Sequence, residues 1–485
     1  MTLASHALSF VWILLAGAFS AGLFYFGTGL YPIWWMAWLA PVPVLAVAPR
    51  LGRWATFLLG VIAFFIGSLN RWNYFTRVVE VPLPLALVAL MLPALAFGLG
   101  VLMVRAFLRR GRLVAAAFVL PCYWVSFEAL TELGSPHSTF GNLGYSQMNC
   151  LPLIQLASLT GIWGISFVIL LIAATGGALL SGCGSRRARM ILGLTTTFLL
   201  GAVLLFGLAR LWSRPSSAKT VTVTLVAKDM PLSFYIHADE KAALGLLQEY
   251  VDEIERATPS GTEVVVLPEK IVRVPENALP EVDAIFSAAA VARQTAIDLG
   301  LVRGTPEGSY NSARFYSANG KLLANYDKHH LIPGIEPERP GKRRVVLDQP
   351  TGRIGLQICK DLDFPELSRE YARAGTNLLL VPAWDFQVDG WLHGRMAMLR
   401  AVEDGFALAR AGRDGVLSLS DNRGRVIAEA PTVEGRFVTV TGELPLTSES
   451  TFYSRTGEWF AWVSLAGLAG LMVLLFVGRR RIEVT

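Results

Sequence analysis

Eight stretches of this sequence are apolar over lengths that a soluble fold rarely needs. A bilayer core about 30 Å thick asks for roughly 20 mostly apolar residues per spanning helix. Residues 9–27, 32–49, 54–70, 84–106, 113–130, 155–180, 190–212 and 459–478 meet that requirement, the third and fifth on the short side. Between the seventh and eighth lies one long polar interruption, 213–457. Only 16% of the 485 residues are charged, against about 25% in soluble domains. A disordered chain, a collagen-like chain and a small disulfide scaffold are excluded. The first segment lacks a basic leader and further apolar segments follow at once, so it is read as a membrane helix and not as a cleaved signal.

The net charge is +6. Basic chains can bind nucleic acid, but the arginines fall in a pattern that a membrane explains better. Arg50 and Arg53, then Arg105, Arg109, Arg110 and Arg112, then Arg186, Arg187 and Arg189, then Arg479, Arg480 and Arg481 all fall on one side if eight helices alternate. The opposite short loops hold Arg71 and Arg77 only. Positive loops face the cytoplasm, so both termini are expected there, 213–457 is expected outside, and no nucleic-acid partner is expected. The organisation predicted is a membrane domain of seven helices at 1–212, a second domain at 213–457, and an eighth helix with a basic tail at 458–485.

Within 213–457, strand and helix patterns alternate. "TVTVTLVA" (220–227) alternates and is β-branched, as a strand would be. Residues 239–257 carry helical apolar spacing. "TEVVVLPE" (262–269) reads as a buried strand, and the stretch from 279 as a helix stopped by Gly300. Two strands joined at Asn319-Gly320 follow. Further strands end at Cys359 and cover 376–383, 406–412, 415–421 and 425–430, with helices at 364–375 and 392–405. The alternation predicts an α/β layered domain, with residues 212–220 as its linker.

Of four cysteines, Cys122, Cys150 and Cys183 lie in or beside apolar segments, and no zinc or CxxC spacing occurs. Cys359 stands in the polar domain, at a strand end. Glu269 ends another strand, and Lys328 follows the hairpin. Ligands of open α/β sheets gather beyond the carboxyl ends of strands, which makes these residues plausible neighbours. A thiolate attacks an acyl carbonyl, a carboxylate takes the thiol proton, and an ammonium stabilises the oxyanion. Taken singly, each is more often a small apolar residue, a solvated acid or a surface charge. His329 and His330 offer a Cys/His alternative, or a structural pair shaping the loop. Asp361 and Asp363 read as caps before Pro365. Glu128, inside a membrane segment, is a candidate functional carboxylate.

"LPEK", "YDKHHLIP" and "ICKDLDFPE" resemble the three motifs of the nitrilase superfamily. With "NLGYSQ" (142–147), "YSRTGEWF" (453–460) and the eight apolar segments, the whole chain resembles the apolipoprotein N-acyltransferase family. The resemblance implies a membrane domain of about eight helices plus an αββα nitrilase-like sandwich on the periplasmic face of a bacterial inner membrane. It implies that Cys359 takes a fatty acyl chain from a phospholipid as a thioester. The chain then passes to the α-amino group of a diacylglyceryl-cysteine at a lipoprotein N-terminus. Glu269 would be base and then acid, Lys328 the oxyanion partner, and Glu336 a residue shaping the site. The family's Cys-Tyr-Glu is Cys359-Lys360-Asp361 here, and the added Lys360 is expected to depress the thiol pKa. Trp384 stands in "VPAWDF", where the family has "NDAWF"; this loop and "PLSFYIH" (231–237), also read as a loop, carry aromatic and apolar residues suited to a lipid substrate. Glu403 corresponds to a family position near the catalytic lysine and is expected in a structural ion pair. Neither metal nor organic cofactor is implied, since the thioester carries the acyl group. The alternatives are a membrane-anchored amidase in which water replaces the amine, a transferase using another amine, and a non-enzymatic scaffold.

Overall fold

A computed structural model of the chain describes residues 3–213, 219–447 and 449–477, the side chains of 3–10 excepted. Arg479–Arg481 of the charge argument and the centre of the 212–220 linker lie outside the described residues. The chain divides into two compact units: residues up to Ser135, Gly141–Arg210 and the part from Glu458 on, and a second of Pro136–Phe140 and Leu211–Gly457.

In the first unit, among the described residues, six helices are long and apolar enough to cross a membrane: Arg53–Arg71, Leu83–Leu108, Leu113–Gly134, Ile162–Leu180, Arg186–Trp212 and Trp459–Val477. Helix Leu3–Gly27 precedes them. The second apolar stretch is not one helix. It forms Trp34–Leu39 and Val42–Val47, because Pro41 and Pro43 bring no N–H and their rings crowd the preceding turn. The sixth stretch starts as two single turns, Leu151–Ile154 and Ala157–Thr160, before Gly161 at φ 65° opens the long helix. Small residues let apolar helices approach closely: a Cβ on Gly60 would lie 3.0 Å from the Gly98 Cα. Glu128 accepts from Asn142 Nδ2 (3.0 Å) and Leu143 N–H (2.8 Å), which spends that carboxylate on holding the following loop.

The second unit is built on two sheets. The first joins β1 (Lys219–Lys228), β2 (Val264–Val266), β3 (Arg273–Val274), β4 (Ala296–Thr305), β5 (Gly308–Tyr316), β6 (Leu322–Asp327) and β13 (Phe437–Leu446) in the order β13-β1-β2-β4-β5-β6, with β3 beside β4. The second joins β7 (Val345–Gln349), β8 (Gly352–Leu356), β9 (Leu378–Trp384), β10 (Ala407–Arg413), β11 (Val416–Ser420) and β12 (Val426–Pro431) in the order β12-β11-β10-β9-β8-β7. The centres, β1-β2-β4 and β8-β9-β10, are parallel. Side chains alternate between strand faces, and the cores follow that period. Val221, Val223 and Leu225 pack with Leu378, Leu380 and Ala409 between the sheets. Val226 and Val265 face outward onto helices Glu240–Ala257 and Leu279–Arg293. Leu379 and Val381 face helices Pro365–Arg373 and Gly390–Asp404. The result is an αββα sandwich.

Three expectations are corrected. The helix read as ending at Gly300 ends at Arg293, with Gln294 in the left-handed region, and the following residues pair with β2 as β4. Gly300 is needed for close approach: a Cβ there would lie 2.1 Å from the Pro268 carbonyl oxygen. The strand read over 262–269 is only Val264–Val266, since Pro268 cannot donate to a ladder. "PLSFYIH", read as a loop, contains the helix Leu232–His237.

Candidate active site

Departure of the chain from β2 at Pro268 carries Glu269 past the carboxyl end of a central parallel strand, and its N–H donates to Ala383 O on β9 (3.3 Å). Lys328 leaves β6, its N–H held by Asn311 O (2.8 Å). Cys359 follows β8 and opens the short 3-10 turn Cys359–Asp363. Its φ of 43° is a left-handed value that costs a residue with a Cβ energy. The turn holds it there: Asp361 accepts from Ile358 N–H (3.1 Å) and from the Tyr326 hydroxyl (2.7 Å).

These elements bring the three side chains together. Lys328 Nζ lies 2.8 Å from Glu269 Oε1 and 2.9 Å from Glu336 Oε2, and both it and Glu269 are almost fully buried. Asn311 Nδ2 donates to Glu269 Oε1 (2.5 Å) and Glu336 Oε1 (3.1 Å). Glu269 Oε1 therefore carries two hydrogen bonds, while its buried Oε2 has none among the described residues. Cys359 keeps part of its surface accessible and its thiol donates to Trp384 O at 3.6 Å. Removal from water, and next the negative Glu269, push the thiol pKa well above its ordinary value; Lys328 and Arg410 pull it down. At rest Cys359 is thus a neutral thiol. Burial alone would discharge Lys328, but Glu269, Glu336 and the sulfur more than reverse this, and its pKa is raised. It stays an ammonium.

Glu336 is the hub behind the lysine. It also meets Lys270 at 2.8 Å and accepts from Ile332 N–H at 2.8 Å. Burial raises its carboxyl pKa, but Lys328 and Lys270 overcome that and hold it at about 2. Lys270 continues to Glu338 (2.9 Å), and Glu338 to Arg273 (2.9 Å). Sequence reading missed Lys270, Asn311 and Glu338. Adjacency to Glu269 and the Glu336-Pro337-Glu338 spacing were the available signals for two of them.

The remaining candidates divide. Asp361 is structural: its Oδ1 accepts from the His329 and His330 N–H groups (3.1 and 2.8 Å), which ties the loop after Lys328 to the Cys359 turn. His330 stacks on Phe364 and His329 on Tyr326, so the pair shapes that loop. The Lys360 ammonium is engaged by other groups. It lies 3.2 Å from Asp363 and 3.2 Å from His137 Nδ1, while burial and Glu269 are what raise the thiol pKa. His137 belongs to the Pro136–Phe140 segment, and burial and then Lys360 lower its pKa to about 4, so it accepts as a neutral ring. Trp384 is a wall: its indole donates to Asp414 (2.6 Å), Arg413 lies 4.1 Å over its ring, and Tyr235 meets it edge-on. Beneath it, Asp385 and Arg410 form a buried bidentate pair, also missed from sequence. Glu403 pairs with Arg400 at 2.9 Å, both buried, while the lysine's carboxylate partners are Glu269 and Glu336.

A family model described as carbon-nitrogen hydrolase matches residues 229–450, and one described as apolipoprotein N-acyltransferase N-terminal domain matches 7–175. The apolipoprotein N-acyltransferase of Geobacter metallireducens is 28% identical, covering 91% of this chain and 91% of its own. That of Bradyrhizobium diazoefficiens is 30% identical, covering 76% of this chain and 73% of its own. Among solved structures, Saccharomyces cerevisiae Nit3, a member of branch 10 of the nitrilase superfamily, is 24% identical over 48% of this chain and 93% of its own, with a TM-score of 0.41.

Proposed function

The chain belongs to the apolipoprotein N-acyltransferase family and is an acyltransferase of lipoprotein biosynthesis; from that premise we propose that Cys359, Glu269 and Lys328 carry the reaction. Glu269 Oε2 takes the thiol proton as Cys359 Sγ attacks the ester carbonyl of a phospholipid. Lys328 stabilises the oxyanion. As the intermediate collapses, the carbon–oxygen bond breaks and Glu269 returns the proton to the lysolipid oxygen, leaving a fatty thioester on Cys359. The α-amine of a diacylated lipoprotein then attacks the thioester, Glu269 accepts a proton from nitrogen, and as the carbon–sulfur bond breaks it passes that proton to sulfur, leaving the amide and the free Cys359 thiol.

The observation that carries this reading is the unpartnered Glu269 Oε2, in a carboxylate whose other oxygen is fixed by Lys328 and Asn311. It is a base held in place with one lone pair unspent. Exposed Leu232, Ile236, Ile335 and Val388, each within a few residues of Tyr235, Glu336 or Trp384, favour a lipid donor over the small polar amide of a hydrolase. The twelve arginines support eight crossings, the second as a broken helix, with both termini cytoplasmic and the catalytic domain of 213–457 periplasmic. The domain limits proposed are 1–212, 213–457 and 458–485, with Pro136–Phe140 joining the catalytic unit by its contacts.

The test is transfer to a diacylated lipopeptide by full-length protein reconstituted with phospholipid. Cys359→Ala is expected to abolish N-acylation with the melting profile retained. Full activity in that variant would end this mechanism.

A further inference from the structure

Three helices of the membrane unit frame an open cavity of about 600 Å³. They are the last turns of Leu83–Leu108, the start of Arg53–Ser68 and the last turns of Trp459–Val477. Four guanidiniums line it, from Arg53, Arg105, Arg109 and Arg110, and among the described residues no carboxylate does. The rest of the lining is apolar, Leu102 and Phe476 among it. Arg105 is only 6% exposed, and its Nε and Nη2 donate to the Leu51 carbonyl at 2.9 and 2.6 Å. Arg110 Nη1 donates to Ala106 O at 2.9 Å. These carbonyls fix the Arg105 and Arg110 guanidiniums without neutralising them. Among the described residues none of the four meets a carboxylate in an ion pair.

Positive loops on one side of a membrane explain arginines at helix ends. They do not explain four gathered around one concavity whose remaining lining is apolar. Like charges beside apolar surface repel, and the arrangement is relieved when an anion enters. The guanidinium fork matches phosphate oxygens two at a time. A zwitterionic headgroup would bring its own ammonium toward four cations, so charge complementarity selects a lipid with net negative charge.

We propose that this cavity binds the phosphate headgroup of an anionic phospholipid, with the lipid's acyl chains lying against Leu102 and Phe476. The site uses none of the residues assigned to acyl transfer, so the two readings stand or fall separately. Basic pockets between membrane helices bind anionic headgroups in this manner, and each arginine or lysine near an anionic membrane surface is worth about 1 kcal/mol, roughly fivefold.

Full-length protein in detergent is titrated with phosphatidylglycerol, with phosphatidylcholine and with inorganic phosphate, read by native mass spectrometry. Phosphatidylglycerol is expected to be retained, phosphatidylcholine to be lost, and phosphate to bind more weakly than the lipid. The triple variant Arg53→Gln, Arg109→Gln, Arg110→Gln is expected to weaken phosphatidylglycerol binding on the order of a hundredfold, at roughly fivefold per arginine. Its acyl transfer to lipopeptide should be unchanged, which also reports that it folds; the single Arg109→Gln gives the same reading at roughly fivefold. Equal retention of phosphatidylcholine, or undiminished phosphatidylglycerol binding by the variants, overturns the proposal. Phosphate binding as tightly as phosphatidylglycerol overturns the lipid assignment.

Discussion

In the catalytic unit six charged side chains alternate in sign along one line of contacts. Glu269, Lys328, Glu336, Lys270, Glu338 and Arg273 are joined at 2.8 to 2.9 Å. In the membrane unit, buried Arg105 and half-buried Glu128 are answered by backbone and amide groups, and helices meet through glycine contacts. The difference is one of dependence. A buried ion pair stripped of one partner leaves an uncompensated charge, which is far costlier than the pair was worth. A close helix contact loses van der Waals energy by degrees. Damage should therefore be steep and specific in the first region, and graded in the second.

The largest effect is expected at Glu269→Gln. Loss of the base should slow Cys359 acylation by about 10²–10⁴-fold, measured as single-turnover thioester formation. The same change removes a negative neighbour that raises the thiol pKa. The thiolate fraction, followed by ultraviolet titration, should thus rise at a given pH while the reaction slows. A slower reaction with a smaller thiolate fraction would contradict the assigned geometry.

Next comes Lys270→Met, which strips one of two cations from Glu336 and one of two from Glu338. Breaking a buried pair this way costs about 3–5 kcal/mol, readable as a fall in denaturation midpoint. Lys270→Met combined with Glu338→Gln should recover part of that loss. The pH dependence has a definite sign. Glu336 is held at about 2 against an ordinary 4.5. Its stabilising contribution is fully present above pH 4.5 and fades as pH falls toward 2. The stability gap between the native chain and Lys270→Met should be widest above pH 4.5 and close on acidification.

Gly98→Leu in the membrane unit forces a side chain where a Cβ already meets Val61 at 2.6 Å. Overpacking of this kind costs about 1–3 kcal/mol, seen as a lower melting temperature in detergent with transfer per folded molecule kept. The smallest effect is expected at Arg353→Gln, whose partner Asp348 is 81% exposed. Less than about 1 kcal/mol should be lost. A large loss there would erase the contrast between solvated and buried pairs.

The same contrast explains what could be read from the sequence. Glu269, Lys328 and Cys359 were legible because each sits in a contiguous motif where a strand pattern stops. Glu336 and Trp384 came with the family resemblance. Lys270 and Asn311 were not legible, because their partners lie far away in the chain and only the sheet register brings them in. The Asp385–Arg410 pair is likewise made by neighbouring strands β9 and β10. β13 was overlooked although "FVTVT" alternates; its partner β1 is some two hundred residues earlier. In the membrane unit, hydropathy located the apolar stretches but treated Pro41 as one more apolar residue. The break it makes is a backbone effect that a hydropathy sum does not contain.

The most direct measurement is mass spectrometry of the peptide containing Cys359, taken from full-length protein incubated with phospholipid and without acceptor. The expected result is the mass of one fatty acyl group on that peptide, removed when a diacylated lipopeptide is added and absent from Glu269→Gln on the same timescale. An unmodified Cys359 peptide from protein that still transfers acyl chains to the lipopeptide would contradict the account.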